Sequence, residues 1–217
     1  MRLTLGKNRT PDIAVDMGSA NTRIWVRGDG LVATIPTVIA IERQTQGPKV
    51  VAIGEDARKL VGREPQHTRV FRPVRNGAVQ DYRAAEQFLC SVFEQTLGKS
   101  NKRPRVLATM PVGTGGGERR AIEEVFRGAG SSDVSVLSTQ PLAVIGLELP
   151  LFEPGANAIV DIGAGLCDAF VLSLGGVVTG ARTNAAGDAM DAAILRWLQA
   201  SEHFVTRPTA PEMLKRS

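Results

Sequence analysis

A chain of 217 residues with 43% hydrophobic content carries core material for one substantial domain or two small ones. The formal net charge is only +4. Basic residues gather at Arg63, Arg69, Arg72 and Arg75 and at Lys99, Lys102, Arg103 and Arg105, without interleaved stacking aromatics, so they read as solvated faces and no nucleic-acid partner is expected. Cys90 and Cys167 share no paired spacing with each other or with His67 and His203, which argues against a metal site and for two reduced thiols.

The start, with Arg2, Leu3, Leu5 and Lys7, lacks a signal peptide's apolar segment and is too short in apolar residues for a strongly amphipathic helix. No run approaches the roughly 20 apolar residues that span a bilayer, so a cytoplasmic protein is expected. From Ile13 the chain reads IAVDMGSANTRIWVRGDGLVA: a β-branched run, Asp16, a small-residue turn, an alternating strand and the hairpin signal Gly28-Asp29-Gly30. Residues from Thr37 to about Arg75 mix short strands with a small helix near Glu55 to Val61 and read as an insertion outside the main sheet.

Asp81 is placed to cap a helix through Ala84, Ala85, Phe88, Leu89, Val92 and Phe93, which Gly98 stops. Arg105 to Met110 is a short strand, followed by the glycine-rich turn Gly113 to Gly117. A second helix then carries Ala121, Ile122, Val125 and Phe126 and ends near Gly128 or Gly130. Val134 to Leu137 is a strand, and Pro141 suits the first turn of a helix reaching Gly146.

From Ile159 the string IVDIGAGLCDAFVLSLGGVVTGA repeats the first motif, with its hairpin signal at Gly175-Gly176. Asp188 is placed to cap a last helix through Met190, Ile194, Leu195, Trp197 and Leu198, and the tail from Thr206 completes no element. Strands alternating with crossover helices imply an α/β sheet covered on both faces.

A lone Asp-x-Gly turn is most often a polar turn ending a strand. Two copies in the same strand–turn–strand context suggest more. Glycine lets backbone amides approach an anion, and the neighbouring carboxylate can hold a hydrated Mg²⁺ bridging two phosphates. Asp16, Gly18, Ser19, Asn21 and Thr22 would form one jaw, and Asp161, Gly163, Ala164, Gly165 and Asp168 the other.

The string DMGSANTRIWVRGDG resembles the first phosphate hairpin of the MreB group of bacterial actin-like ATPases, in a superfamily with heat-shock chaperone ATPases and sugar kinases. The likeness continues in order through VAIGEDARKLVGREP, VFRPVRNGAVQDY, RPRVLATMPVGTGGGERRAIEEV, STQPLAVIGLELP, IVDIGAGLCDAFVLSLGGVV and AAGDAMDAAI. FRPVRNGAVQDY and the Val112-Gly113 to Arg119-Arg120 stretch are the parts most distinctive of MreB.

The resemblance implies an α/β, actin-like ATPase (ribonuclease H-like) fold. Residues 1–147 would be its first lobe, complete except for the C-terminal helix, with a small subdomain inserted at about 37–76. Residues 148–217 would be a partial second lobe, truncated before the outer subdomain and the adenosine pocket. ATP and Mg²⁺ are the implied cofactors. Asp16, Gly18, Asn21 and Thr22 fall in the first phosphate loop and Gly163 and Gly165 in the second, with Asp161 organising the metal and Asp16 and Asp168 beside it. Gly187 and Asp188 match a helix start that faces the nucleotide.

Three positions depart from the family pattern. Gln140 stands where MreB proteins carry the glutamate that positions the attacking water, and glutamine can only orient it, as in eukaryotic actin. Ala164 replaces a usual glycine, and Leu166-Cys167 replace two threonines. Together with the missing adenosine pocket, these imply weakened or lost ATP binding and residual ATPase at most. The expected role is a cytoskeletal protein of cell shape or of cell-wall or spore-wall morphogenesis. Its partners would be further copies of itself, a full-length MreB-like homologue, cell-wall morphogenesis proteins and the inner face of the cell membrane as a peripheral contact. The alternatives are a degenerate regulatory or interaction module that binds a full-length homologue, and an independent ATPase. Arginine dominates the basic residues, which points to a GC-rich genome and a sporulating filamentous bacterium.

Overall fold

The computed structural model describes residues 12–98, 103–111, 114–150 and 152–202. The readings made on residues 1–11, on Lys99 and Lys102, on Val112 and Gly113, and on His203 and the tail from Thr206 lie outside the described residues.

Strands β1 (Ile13–Met17), β2 (Asn21–Val26) and β3 (Gly30–Pro36) form an antiparallel meander. Alternation sends Ile13, Val15, Thr22 and Ile24 inward. The insertion follows as β4 (Ile39–Gln44), β5 (Gly47–Ile53), helix α1 (Gly54–Lys59) and β6 (Thr68–Phe71), a separate three-stranded sheet ordered β5-β4-β6. It has its own small core of Val38, Ala40 and Ala57. The short pair β7 (Val74–Arg75) and β8 (Ala78–Val79) then leads into α2 (Tyr82–Leu97).

The Asp81 carboxylate accepts the Ala84 amide at 2.9 Å, and Gly98 ends the helix at φ 71°, so both signals act as read. Strand β9 (Arg105–Met110) pairs parallel with β1, and after α3 (Gly116–Gly128) strand β10 (Asp133–Ser138) pairs parallel with β9. The main sheet is thus ordered β10-β9-β1-β2-β3. Helices α2 and α3 bury Phe88, Leu89, Val92, Ile122, Val125 and Phe126 in one cluster with Val15, Ile24, Val106 and Val136 of the sheet. Each such fully buried side chain contributes about 1.5–3 kcal/mol.

Helix α4 (Thr139–Gly146) links to a second meander, β11 (Asn157–Ile162), β12 (Cys167–Ser173) and β13 (Gly176–Thr183). Val144 of α4 packs with Phe170 and Leu172 of β12. Helix α5 (Gly187–Glu202) follows.

Three local readings shift. Helix α3 starts at Gly116, so Gly116 and Gly117 belong to its first turn. At the β12–β13 hairpin, positive φ falls on Leu174 (48°) and Gly175 (78°), one residue earlier than the Gly175-Gly176 signal. Asp188 lies inside the first turn of α5 as a helical residue, because its carboxylate is committed elsewhere.

Candidate functional site

The two Asp-x-Gly turns have the same backbone geometry. Gly18 N donates to Asn21 O at 3.0 Å, and Gly163 N donates to Leu166 O at 2.8 Å. A Cβ on Gly18 would sit 3.0 Å from the Asn21 carbonyl oxygen, and one on Gly163 would sit 3.0 Å from that of Leu166. Close backbone approach, rather than positive φ, is therefore what selects glycine at both places.

The turns also meet. A Cβ on Gly165 would lie 2.7 Å from Asn76 N and 2.8 Å from Ser19 Oγ, so the second turn rests against the first and against the β7–β8 turn. A cavity of about 310 Å³ opens between them, lined by Asp16, Gly18, Ser19, Asn21, Asp161, Gly163, Ala164, Gly165 and Asp168 together with Arg23. Nine of the expected site residues are thus gathered around one opening. Leu166 closes one end: a Cβ on Gly77 would strike its Cδ1 at 2.5 Å.

Four others stand apart from that lining. Thr22 is fully buried, and its hydroxyl bonds that of Thr37 at 2.9 Å, because it shares the inward face of β2 with Ile24. Gln140 is buried outside the cavity, 3.5 Å from Asp168 through Nε2, and its Oε1 has no partner among the described residues. The amides of Gly187 and Asp188 donate to Gly163 O at 3.1 Å and Ala164 O at 2.7 Å. The α5 N-terminus therefore binds the back of the second turn, and the Asp188 carboxylate accepts both bonds from Arg72, at 2.7 and 2.8 Å.

Charge is unevenly distributed. Asp16 accepts from Arg23 at 3.1 Å and from Thr109 at 2.8 Å. Asp168 takes a two-pronged bond from Arg182, at 2.6 and 3.0 Å. Asp161 has no ion pair among the described residues. Partial burial of its carboxyl raises its pKa first, and the charges of Asp168 and Asp16 push the same way, against Arg23, which draws it down. Asp161 and Asp168 are register partners across β11 and β12, and Asp168 and Arg182 across β12 and β13, so like charges face each other with the relieving cation one strand over.

Sequence reasoning did not single out Arg23, Arg72 or Arg182 as site neighbours. Arg23 was within reach: a turn of this length places it directly opposite Asp16.

The donor set fits a polyphosphate better than a caged metal. Ser19, Ala20, Ala164 and Gly165 line the cavity, and their amides make no hydrogen bond within the described chain. Among the described residues no group of three or more His, Cys, Asp or Glu side chains could hold a metal ion, and Asp16 and Asp168 are each paired with an arginine.

A family model described as MreB/Mbl protein matches residues 10–216. The cell shape-determining protein MreB of Escherichia coli (strain K12) is 36% identical over 208 residues, covering 94% of this chain and 60% of that protein. The cell shape-determining protein Mbl of Bacillus cereus is 36% identical over 189 residues, covering 87% of this chain and 56% of that protein. The crystal structure of MreB 5 of Spiroplasma citri bound to AMPPNP superposes with a TM-score of 0.86 at 27% identity, covering 97% of this chain and 62% of that one. The ADP-bound form gives the same TM-score at 26% identity. The chain thus spans about 60% of the length of the relatives it matches.

Proposed function

The chain belongs to the MreB/Mbl family, and from that membership we propose that it is an actin-like cytoskeletal protein of cell shape or wall morphogenesis whose paired-turn cleft holds the phosphates of an adenine nucleotide. The observation that carries this reading is the convergence of two matching Asp-x-Gly turns on one cavity with free amides on both sides. Nucleotide in the MreB 5 crystal structures supports the choice of ligand.

The division into a first lobe at 1–147 with an insertion at about 37–76, and a partial second lobe at 148–217, follows the same reading. The β4–β6 sheet has its own core, and the chain passes to the second meander after α4. In the cleft, Ser19, Ala20, Ala164 and Gly165 would offer amides to phosphate oxygens, while Asp161 would face any Mg²⁺ that arrives on the phosphates. A divalent ion bound there would neutralise phosphate charge. Gly18 and Gly163 shape the turns, their amides spent on Asn21 O and Leu166 O rather than on a ligand, Gly187 and Asp188 brace the second turn from behind, and Asp168 is held by Arg182.

Binding is weak in this reading, because Leu166 and Cys167 supply no hydroxyl donors and Leu166 packs over Gly77 at the mouth. Hydrolysis is residual at most: Gln140 lies behind Asp168 and carries no carboxylate. Partners would be further copies of the chain, an MreB-like homologue and wall-morphogenesis proteins. Among the described residues no helix is long and apolar enough to cross a membrane, and a cytoplasmic site with peripheral membrane contact is part of the proposal.

A second reading, an interaction module that pairs with a homologue, is favoured by exposed apolar side chains on the second meander and α5: Val160, Ile162, Val178 and Trp197 are each more than half exposed. Sedimentation of the chain with and without ATP, alone and mixed with an MreB homologue, separates the two. ATP-dependent pelleting of the chain alone supports the cytoskeletal reading. Pelleting only with the homologue supports the second, and a chain that stays in the supernatant throughout contradicts both.

A further inference from the structure

Where the two turns are otherwise alike, the residue facing the aspartate differs. Asp161 faces Asp168, whereas Asp16 faces Arg23. Arg23 lines the cavity, and its Nη1 lies 3.1 Å from Asp16 Oδ2. Thr109 takes the other Asp16 oxygen at 2.8 Å, so both carboxylate oxygens are engaged within the chain. The guanidinium carries five N–H donors, of which this bond uses one, so the others remain for an anion in the cleft. Its field also reaches Asp161 on the opposite jaw. Arg182, by contrast, spends a two-pronged grip on Asp168 and does not line the cavity.

From these contacts we infer that Arg23 is a phosphate-binding cation built into the cleft, holding at the first turn the charge-neutralising place of a divalent ion, so that this chain binds nucleotide without needing one. The inference rests on the nucleotide reading above. It concerns the triphosphate tail, whose anionic oxygens suit a planar fork of donors.

The test uses the full chain and a fluorescent ATP analogue, titrated in Mg²⁺ and in EDTA. Wild-type affinity should differ by less than about threefold between the two, while Arg23→Leu should lose about tenfold or more in EDTA and regain most of it in Mg²⁺, with Arg23→Lys in between. Loss of wild-type binding in EDTA overturns the inference. A second arm needs no nucleotide: Mn²⁺ titration followed by electron paramagnetic resonance. Wild type should hold no ion in the cleft, and Arg23→Leu should gain one that a further Asp16→Asn removes. Wild type holding Mn²⁺ as tightly as Arg23→Leu overturns the inference. If no nucleotide binds under any condition, the proposed function fails, and the Mn²⁺ arm still reads whether Arg23 keeps the ion out.

Discussion

Arg72 spans 116 residues of sequence to grip Asp188, its Nη1 lying 2.7 and 2.8 Å from the two carboxylate oxygens. Arg72 follows β6 of the insertion, and Asp188 sits in the first turn of α5, whose amides hold the second phosphate turn from behind. One ion pair therefore joins the inserted sheet to the floor of the cleft. Side chains 28% and 37% exposed are screened, so a double-mutant cycle of Arg72→Ala and Asp188→Ala in urea should return a coupling of about 1 kcal/mol. Each single variant should also weaken nucleotide affinity, since the second turn loses its brace. Coupling near zero with unchanged affinity would show the pair to be incidental.

Asp12 should make stability fall in acid. Arg105 donates to its carboxylate from side chain and backbone, and these hydrogen bonds hold its pKa at about 2, below the ordinary 3.8. A depressed carboxylate contributes stability that is present above the unfolded pKa and is lost as pH falls from about 4 through about 2. With Asp12 nearly half exposed, the contribution after screening is under about 1 kcal/mol. Asp12→Asn should lower the urea midpoint at pH 7, and the gap from wild type should close as pH approaches 2.

Asp161 should behave in the opposite sense. Its raised pKa means that the ionised form costs stability, so its contribution is most favourable below the ordinary 3.8 and is lost as pH rises through the folded value. Asp161→Asn should therefore raise the urea midpoint at pH 7, by a stability gain under about 1 kcal/mol since the residue as a whole is exposed and its carboxyl only partly shielded, and have no effect in strong acid. A group that lowers stability while facing the cleft fits a binding role. An unchanged or lowered midpoint at pH 7 would contradict this.

Gly77→Ala should damage the cleft from a distance. At φ 71° the site strains any side chain, and a Cβ there meets Leu166 Cδ1 at 2.5 Å and Pro111 Cγ at 2.7 Å. Loss of about 1–3 kcal/mol in thermal or urea unfolding is expected, as for overpacking at a positive-φ position. Gly28→Ala, with φ 92° but nothing within 4 Å, should cost less.

Much of this was legible in the chain itself. The duplicated Asp-x-Gly strings, the Asp81 cap and the Gly98 stop are local, and local sequence determines them. Thr22 was legible too, since residues 22 and 24 share one face of an alternating strand, but a motif reading carried it to the phosphate. Gly187 and Asp188 were placed at the right helix start, yet whether a helix N-terminus faces a ligand or the back of a loop is a matter of tertiary position. The Arg72–Asp188 pair depends on how the inserted sheet is set against α5, which no spacing encodes, whereas Arg182 faces Asp168 across the β12–β13 hairpin, where the register shift at Val171/Leu172 defeats simple counting from the turn.

The most direct test of the paired-turn clamp is the ³¹P resonance of ATP titrated with the full chain, since line broadening registers even weak binding. Wild type should broaden the phosphate lines, with a dissociation constant above about 10 μM. Gly18→Val and Gly163→Val should each abolish the broadening, because a Cβ at either position would already sit only 3.0 Å from a backbone carbonyl oxygen of its turn. Broadening that survives at wild-type strength in either variant, or that is absent from the wild type, would contradict a single clamp made of both turns.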